Sequence, residues 1–154
     1  MGGTGSFLAN RPFGLAPTES DNYGVQVNFK PSRSFQIGGW YGYTKAQPLR
    51  GGNNDATIQN GAITLALADF GRQGNLLGFV FGVPPKVTDS DLKRRPDGRR
   101  VKDDDTSYHL EGFYRFQVND FISVTPGVYV ILNPEHNNRN DDIWVGLLRT
   151  TFSF

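Results

Sequence analysis

Cysteine is absent from the 154 residues, which removes disulfide scaffolds, cysteine-based metal sites and thiol chemistry. No apolar run approaches the eighteen or so residues that carry a helix across a bilayer, so helical insertion is excluded. Net charge is scarce as well. Sixteen Lys and Arg against fifteen Asp and Glu leave +1, too little for a polyanion-binding surface. Met1 is not followed by a basic stretch and an apolar core, so no secretory leader is visible. Glycine, by contrast, is abundant at 19 residues, and aromatics reach 13% although the mean hydropathy is only −0.45. One domain fits this length. Sheets that show an apolar face on one side and a polar face on the other account for the composition. A membrane barrel and a soluble all-β domain alternate in the same way, so composition alone does not separate them.

The end of the chain is the most informative stretch. Phe154, Phe152, Thr150, Leu148, Gly146 and Trp144 fall on one parity, and Ser153, Thr151 and Arg149 on the other. That period of two is a strand with one apolar face. A soluble domain rarely finishes on Phe-x-Phe, because chain ends are normally frayed and polar. In a transmembrane β-barrel an aromatic at a strand end sits in the interfacial girdle.

The same alternation recurs upstream. Residues 1–22 are rich in Gly and Pro and read as an irregular loop segment, with the barrel strands occupying 23–154. Tyr23, Val25, Val27 and Phe29 oppose Gly24, Gln26, Asn28 and Lys30; Phe35, Ile37, Tyr41 and Tyr43 oppose Gln36, Trp40 and Thr44. Strands follow over 57–69 and 77–83, then at Tyr108–Gln117, with His109, Glu111 and Arg115 on its polar side. Another spans Ile122–Val130, and the closing strand completes the set. Pro126 inside the sixth predicts a bulge at Pro126-Gly127.

Connection lengths alternate too. Turns at 31–33, 71–75 and 118–120 are short, while 45–55, 84–105 and 133–141 are long. Outer-membrane barrels have short periplasmic turns and long external loops. With Phe154 at the periplasmic end, every long connection falls outside. Tyr23, Tyr41, Tyr43, Tyr108 and Trp144 then lie near the outer interface, and Phe29, Phe35, Phe116, Phe152 and Phe154 near the inner one. The predicted fold class is therefore all-β: an antiparallel transmembrane β-barrel, present as seven strands of a larger wall. The count is odd, whereas single-chain bacterial barrels have an even number of at least about eight. The chain reads as the C-terminal part of a barrel of about 16 strands, beginning at an internal Met.

Four segments carry a family resemblance: Ser107-Tyr-His-Leu-Glu-Gly-Phe-Tyr-Arg-Phe-Gln117, Ile122-Ser-Val-Thr-Pro-Gly-Val128, Asn133-Pro-Glu-His-Asn137 and Leu148-Arg-Thr-Thr-Phe-Ser-Phe154. They are similar to the C-terminal signature of cyanobacterial porins of the carbohydrate-selective (OprB-type) family, often labelled iron uptake porins. Asp21-Asn-Tyr-Gly-Val-Gln26 and Gly38-Gly-Trp-Tyr-Gly-Tyr43 resemble earlier strands of the same proteins. The resemblance implies a cell-outer-membrane diffusion channel, a homotrimer when full length, embedded in outer-membrane lipid and lipopolysaccharide. It also implies that the barrel-assembly machinery reads Phe152 and Phe154. The family's signal peptide, surface-layer-homology domain and coiled-coil spacer have no counterpart in these residues.

No catalytic constellation, cofactor motif or metal-ligand spacing emerges. His109 and Glu111 lie two apart on a strand, a common accident, and His136 reads as a solvated loop histidine. Asp103-Asp-Asp105, Asp141-Asp142 and Asn53-Asn-Asp55 match no calcium loop and suggest at most cation bridging to lipid phosphates. Lys93-Arg-Arg95 with Arg99-Arg100 is interleaved with acids and lacks stacking aromatics, which argues against nucleic acid. The residues predicted to line a pore are Gln26, Lys30, Gln36, Trp40, His109, Glu111, Arg115 and Arg149. Three functions remain open: a passive channel for inorganic ions, iron included, and small polar solutes; a sugar channel with Trp40 and Tyr129 as stacking platforms; and a soluble β-sandwich interaction module.

Overall fold

The computed structural model describes residues 4–50, 54–92, 98 and 100–154. Alternating side chains and Gly- or Pro-containing turns give strands β1 (Thr18–Phe29), β2 (Phe35–Pro48), β3 (Ala56–Ala68), β4 (Leu76–Ser90), β5 (Tyr108–Asn119), β6 (Ile122–Leu132) and β7 (Ile143–Phe152). All seven join one antiparallel sheet in chain order, from β1 at one edge to β7 at the other.

Residues directly opposite one another in such a ladder share a face. The register carries the apolar parity intact across the wall. Val25 opposes Tyr41, Ile37 opposes Leu65, Leu65 opposes Phe79, and Phe81 opposes Leu110. Leu110 opposes Val130, which in turn opposes Trp144. This face lies open: Val25 is 59% exposed and Leu148 72%. A soluble sandwich would cover it with a second sheet, but the seven strands make only one. The sandwich reading is thereby corrected. Among the described residues, the buried apolar side chains are Ala9, Phe13, Ala46, Ala56, Val87 and Leu92. All sit at the long-loop end, so the small core lies beyond the span rather than within a layered interior.

The strands run longer than their apolar stripes. Residues 1–22 were expected to be irregular, yet β1 begins at Thr18, pairing Thr18 with Pro48 and Asn22 with Thr44. Backbone pairing needs no apolar side chain, and the Thr44 hydroxyl donates to Asn22 Oδ1 at 2.8 Å. Upstream, Phe7–Asn10 form a short helix, α1, whose Ser6 Oγ accepts from the Ala9 amide at 2.9 Å. At 14 and 15 residues, β2 and β4 exceed the roughly 9–11 that cross a bilayer, so their hairpins project beyond it. At the opposite end Lys30 falls one residue past β1, and Phe154 lies beyond β7. The turn formers at 51–53, the basic run at 93–97 and Arg99 lie outside the described residues.

The bulge predicted at Pro126-Gly127 is absent. The β6–β7 register runs unbroken through Pro126, opposite Leu148. On the other side, pairing pauses between Phe113–Gly127 and Phe116–Val124, with equal residue counts on the two strands. Proline lacks only one donor, and a local gap in one ladder absorbs that loss without an inserted residue. Bulges occur elsewhere, on the β3–β4 ladder at Thr57/Ile58 and Gln59/Gly61, and near the β5–β6 turn.

Leu110 lies amid the apolar face, so Leu110→Arg in the full-length protein should cost about 2–4 kcal/mol at mid-membrane depth. Its folded, heat-modifiable band on a denaturing gel should fall sharply. An unaltered band would mean that the face assignment on β5 is inverted.

Candidate functional site

The polar parity forms the other face, and the register sorts it into rows. Gln26, Trp40, Ala62, Gly82, His109 and Ile131 oppose one another in succession across β1 to β6. The next row toward the short-turn end includes Thr64, Val80, Glu111 and Tyr129. Beyond it come Gln36, Ala66, Gly78, Phe113 and Gly127. Arg115 then opposes Leu76, and Arg149 opposes Thr125. Seven of the eight residues expected on one wall therefore do share a face. Lys30, at the turn, has no ladder partner to place it.

The first two rows hold a tight group. The His109 and Tyr129 rings stack with centroids 5.3 Å apart and planes 19° from parallel. His109 Nε2 lies 3.3 Å from Glu111 Oε2. The two-residue spacing on β5 thus makes a real contact, because i and i+2 on a strand lie side by side on one face. A cavity of about 390 Å³ brings Trp40, Asn60, His109 and Glu111 together beneath Thr4. A second, of about 410 Å³ toward the short turns, gathers Glu111, Phe113, Arg115, Thr125 and Arg149. Small residues determine how much room there is: a Cβ at Gly78 would strike the Phe113 ring, and one at Gly127 would press on Phe113 and Leu147. Sequence reasoning passed over Phe113. The glycines opposite it on both neighbouring strands were the available signal.

The long-loop end is closed in by the segment preceding β1. Phe13 is 5% exposed, packed with Ala46, Ala56 and Leu92. Ala46 and Ala56 are paired and lie on the polar side of the ladder, so Phe13 folds over that side. Ser6 Oγ donates to Asp103 Oδ2 at 2.8 Å, and the same carboxylate oxygen accepts from the Val87 amide at 2.7 Å. Asp103, expected as part of a solvated acidic run, is instead a buried clasp joining two outer segments.

His136 corrects the sequence reading more sharply, being 1% exposed. The Ser107 amide can only donate, so His136 Nδ1 accepts its bond at 2.7 Å, and Nε2–H donates to the Pro85 carbonyl at 2.9 Å. That is the neutral imidazole with both nitrogens used. The His136 carbonyl accepts from the Asp105 amide at 3.1 Å, and the Glu135 carboxylate accepts from the Phe7 amide. To reach these partners, Asn133, Glu135 and His136 adopt φ of 48°, 60° and 52°. Left-handed backbone costs non-glycine residues roughly 1–2 kcal/mol each, a strain sustained only by tight surrounding contacts. Nearby, hydrogen bonding to Asp91 and the neighbouring Lys45 hold the Asp55 carboxyl below its usual range. The Asp91 carboxyl is pushed up, first by that bond and then by the Asp55 charge. Among the described residues no three His, Cys, Asp or Glu come together as metal ligands.

His136→Ala should leave the Ser107 amide and the Pro85 carbonyl unpaired, at about 1–3 kcal/mol for each group left buried. Hydrogen exchange at the Ser107 amide should then accelerate, and residues 100–107 should become protease-sensitive, while the strands stay protected. Unchanged exchange at Ser107 would rule out His136 as the tie.

The chain shows 39% identity over 172 aligned positions to an uncharacterized protein of Synechocystis sp., covering all of this chain and 30% of that protein. It shows 36% identity over 150 positions to an uncharacterized protein of Nostoc sp., covering 97% of this chain and 24% of that one. It thus spans less than a third of either relative. No solved structure matches it significantly. The family described as "Carbohydrate-selective porin, OprB family" matches residues 2–154. With that match across a seven-stranded sheet polar on one face and apolar on the other, the chain belongs to the OprB family of carbohydrate-selective outer-membrane porins.

Proposed function

We propose that the seven strands form part of the wall of a passive outer-membrane channel whose permeant solutes are small carbohydrates. The observation that carries this reading is the group on the polar face: Trp40, the stacked His109–Tyr129 pair and Glu111. Sugars present flat C–H faces to aromatic rings and hydroxyl donors to carboxylates, and this wall offers both side by side. The family description points the same way. On this reading Gln26, Gln36, Trp40, His109, Glu111, Arg115 and Arg149 face the lumen, with Lys30 at its inner rim. The segment ending in Phe13 narrows the mouth, and solutes move down their own gradient. The apolar face meets lipid, full-length copies associate as trimers, and the assembly machinery takes hold of the end at Phe152 and Phe154.

Inorganic ions are the second reading. Arg115 and Arg149 in the inner cavity favour it, because charges along a lumen set the field a permeating ion feels.

Both readings are tested by the full-length porin in planar bilayers. Maltose-type sugars should lower the ionic conductance, and Trp40→Ala should weaken that block about fivefold by removing a stacking face. Arg115→Glu should leave assembly intact and shift ion preference towards cations. A wild-type conductance indifferent to sugar, with the predicted shift for Arg115→Glu, would favour the ion channel over the sugar channel.

A further inference from the structure

Behind the Trp40–His109 cavity, on the apolar face of the same strands, lies another cavity of about 390 Å³. Tyr41, Ile63, Phe81 and Val83 wall it, Gly61 leaves its floor bare, and Lys86 closes one end. The lysine is on this side because of a bulge. Between Gly61 and Gln59 β3 advances two residues, whereas β4 advances three, from Val83 to Lys86. Simple alternation from Val83 would have turned Lys86 to the polar face; the extra residue turns it to the apolar one, opposite Gln59. Gln59 opposes Tyr43, and Tyr43 opposes Tyr23. Lys86 therefore sits at the level of the outer aromatic girdle, where hydrocarbon gives way to headgroups. Its Nζ donates to Thr106 Oγ1 at 2.7 Å, which fixes the ammonium at the cavity rim with two donors left over. Among the described residues no carboxylate lies within ion-pair distance of it.

We propose that this cavity is a binding site for an anionic membrane lipid, with one acyl chain laid against Tyr41, Ile63 and Phe81 and the negatively charged headgroup on Lys86. Charge complementarity selects this occupant. An apolar furrow in the hydrocarbon layer ends in a single unneutralised cation at headgroup depth, and a lipid carrying net negative charge in its headgroup satisfies both ends at once. A zwitterionic lipid also fills the furrow, but its own cationic group competes with Lys86 for the phosphate charge. The site lies on the opposite side of the wall from the channel and stands independently of which solute permeates.

The test uses the full-length porin in mild detergent. Retained phosphatidylglycerol and phosphatidylcholine of identical acyl chains are counted by native mass spectrometry, after checking that each variant still conducts. The wild type should hold phosphatidylglycerol about fivefold better, the effect expected of one basic residue at the membrane surface. Lys86→Gln should abolish the preference. Lys45→Gln should keep it, because Lys45 is already paired with Asp55 at 3.2 Å. Ile63→Trp, which fills the furrow and keeps the lysine, should lower retention of both lipids. Equal retention of the two lipids by the wild type would overturn the proposal, as would a preference that survives Lys86→Gln.

Discussion

Backbone hydrogen bonding between neighbouring strands is the constraint on which everything else in this protein rests. Inside a bilayer no water is available to an unpaired N–H or C=O, so a sheet that crosses must satisfy those groups strand to strand. The succession β1 to β7 gives each interior strand a partner on both sides, and leaves β1 and β7 as the edge strands of this sheet. Once pairing is set, the faces follow. A slip of one residue on β5 or β7 would move Leu110 and Phe116, or Leu148 and Phe152, to the polar side and Arg115 or Arg149 to the apolar one. The register thus fixes chemistry and fold together.

That dependence explains why irregularity concentrates at the long-loop end. Along the span the pairing is nearly continuous, apart from the pause beside Pro126. Beyond it the chain can exchange ladder bonds for side-chain ones, because water and loops provide alternatives. There the bulges of β4 re-aim Lys86, Asp103 bridges Ser6 to the Val87 amide, and His136 ties Ser107 to Pro85. These contacts join the segment before β1 to two outer loops, so the mouth of the polar face is a packed structure rather than a set of free loops. A polar wall of fixed width needs such a rim, since loops without internal ties would sample many positions over it.

The two cavities at the level of Gly61 and Gly82 illustrate how thin the wall is. One faces Trp40 and His109, the other Tyr41 and Phe81, and both reach the same backbone. Glycine on adjacent strands removes the side chains that would fill them. Neighbouring residues of one strand thereby serve two faces, the polar one at Trp40 and the apolar one at Tyr41.

Much of this was legible in the sequence, for a simple physical reason. Alternation with period two is a local property, and turn residues mark where it stops. Tyr23 to Phe29, Phe35 to Tyr43 and the closing Trp144 to Phe152 therefore announced strands and faces without any knowledge of partners. The structure alone decided what depends on contacts between distant segments. Strand ends beyond the apolar stripe, as at Thr18 and Ser90, rest on backbone pairing that leaves no periodic trace. The absence of a bulge at Pro126 and its presence beside Gly61 depend on how neighbouring ladders divide the strain. Burial of His136 needs Ser107 and Pro85 to arrive from 29 and 51 residues away, and no local pattern records that meeting. Sequence by itself thus determined which residues share a face; tertiary structure decided which of them touch.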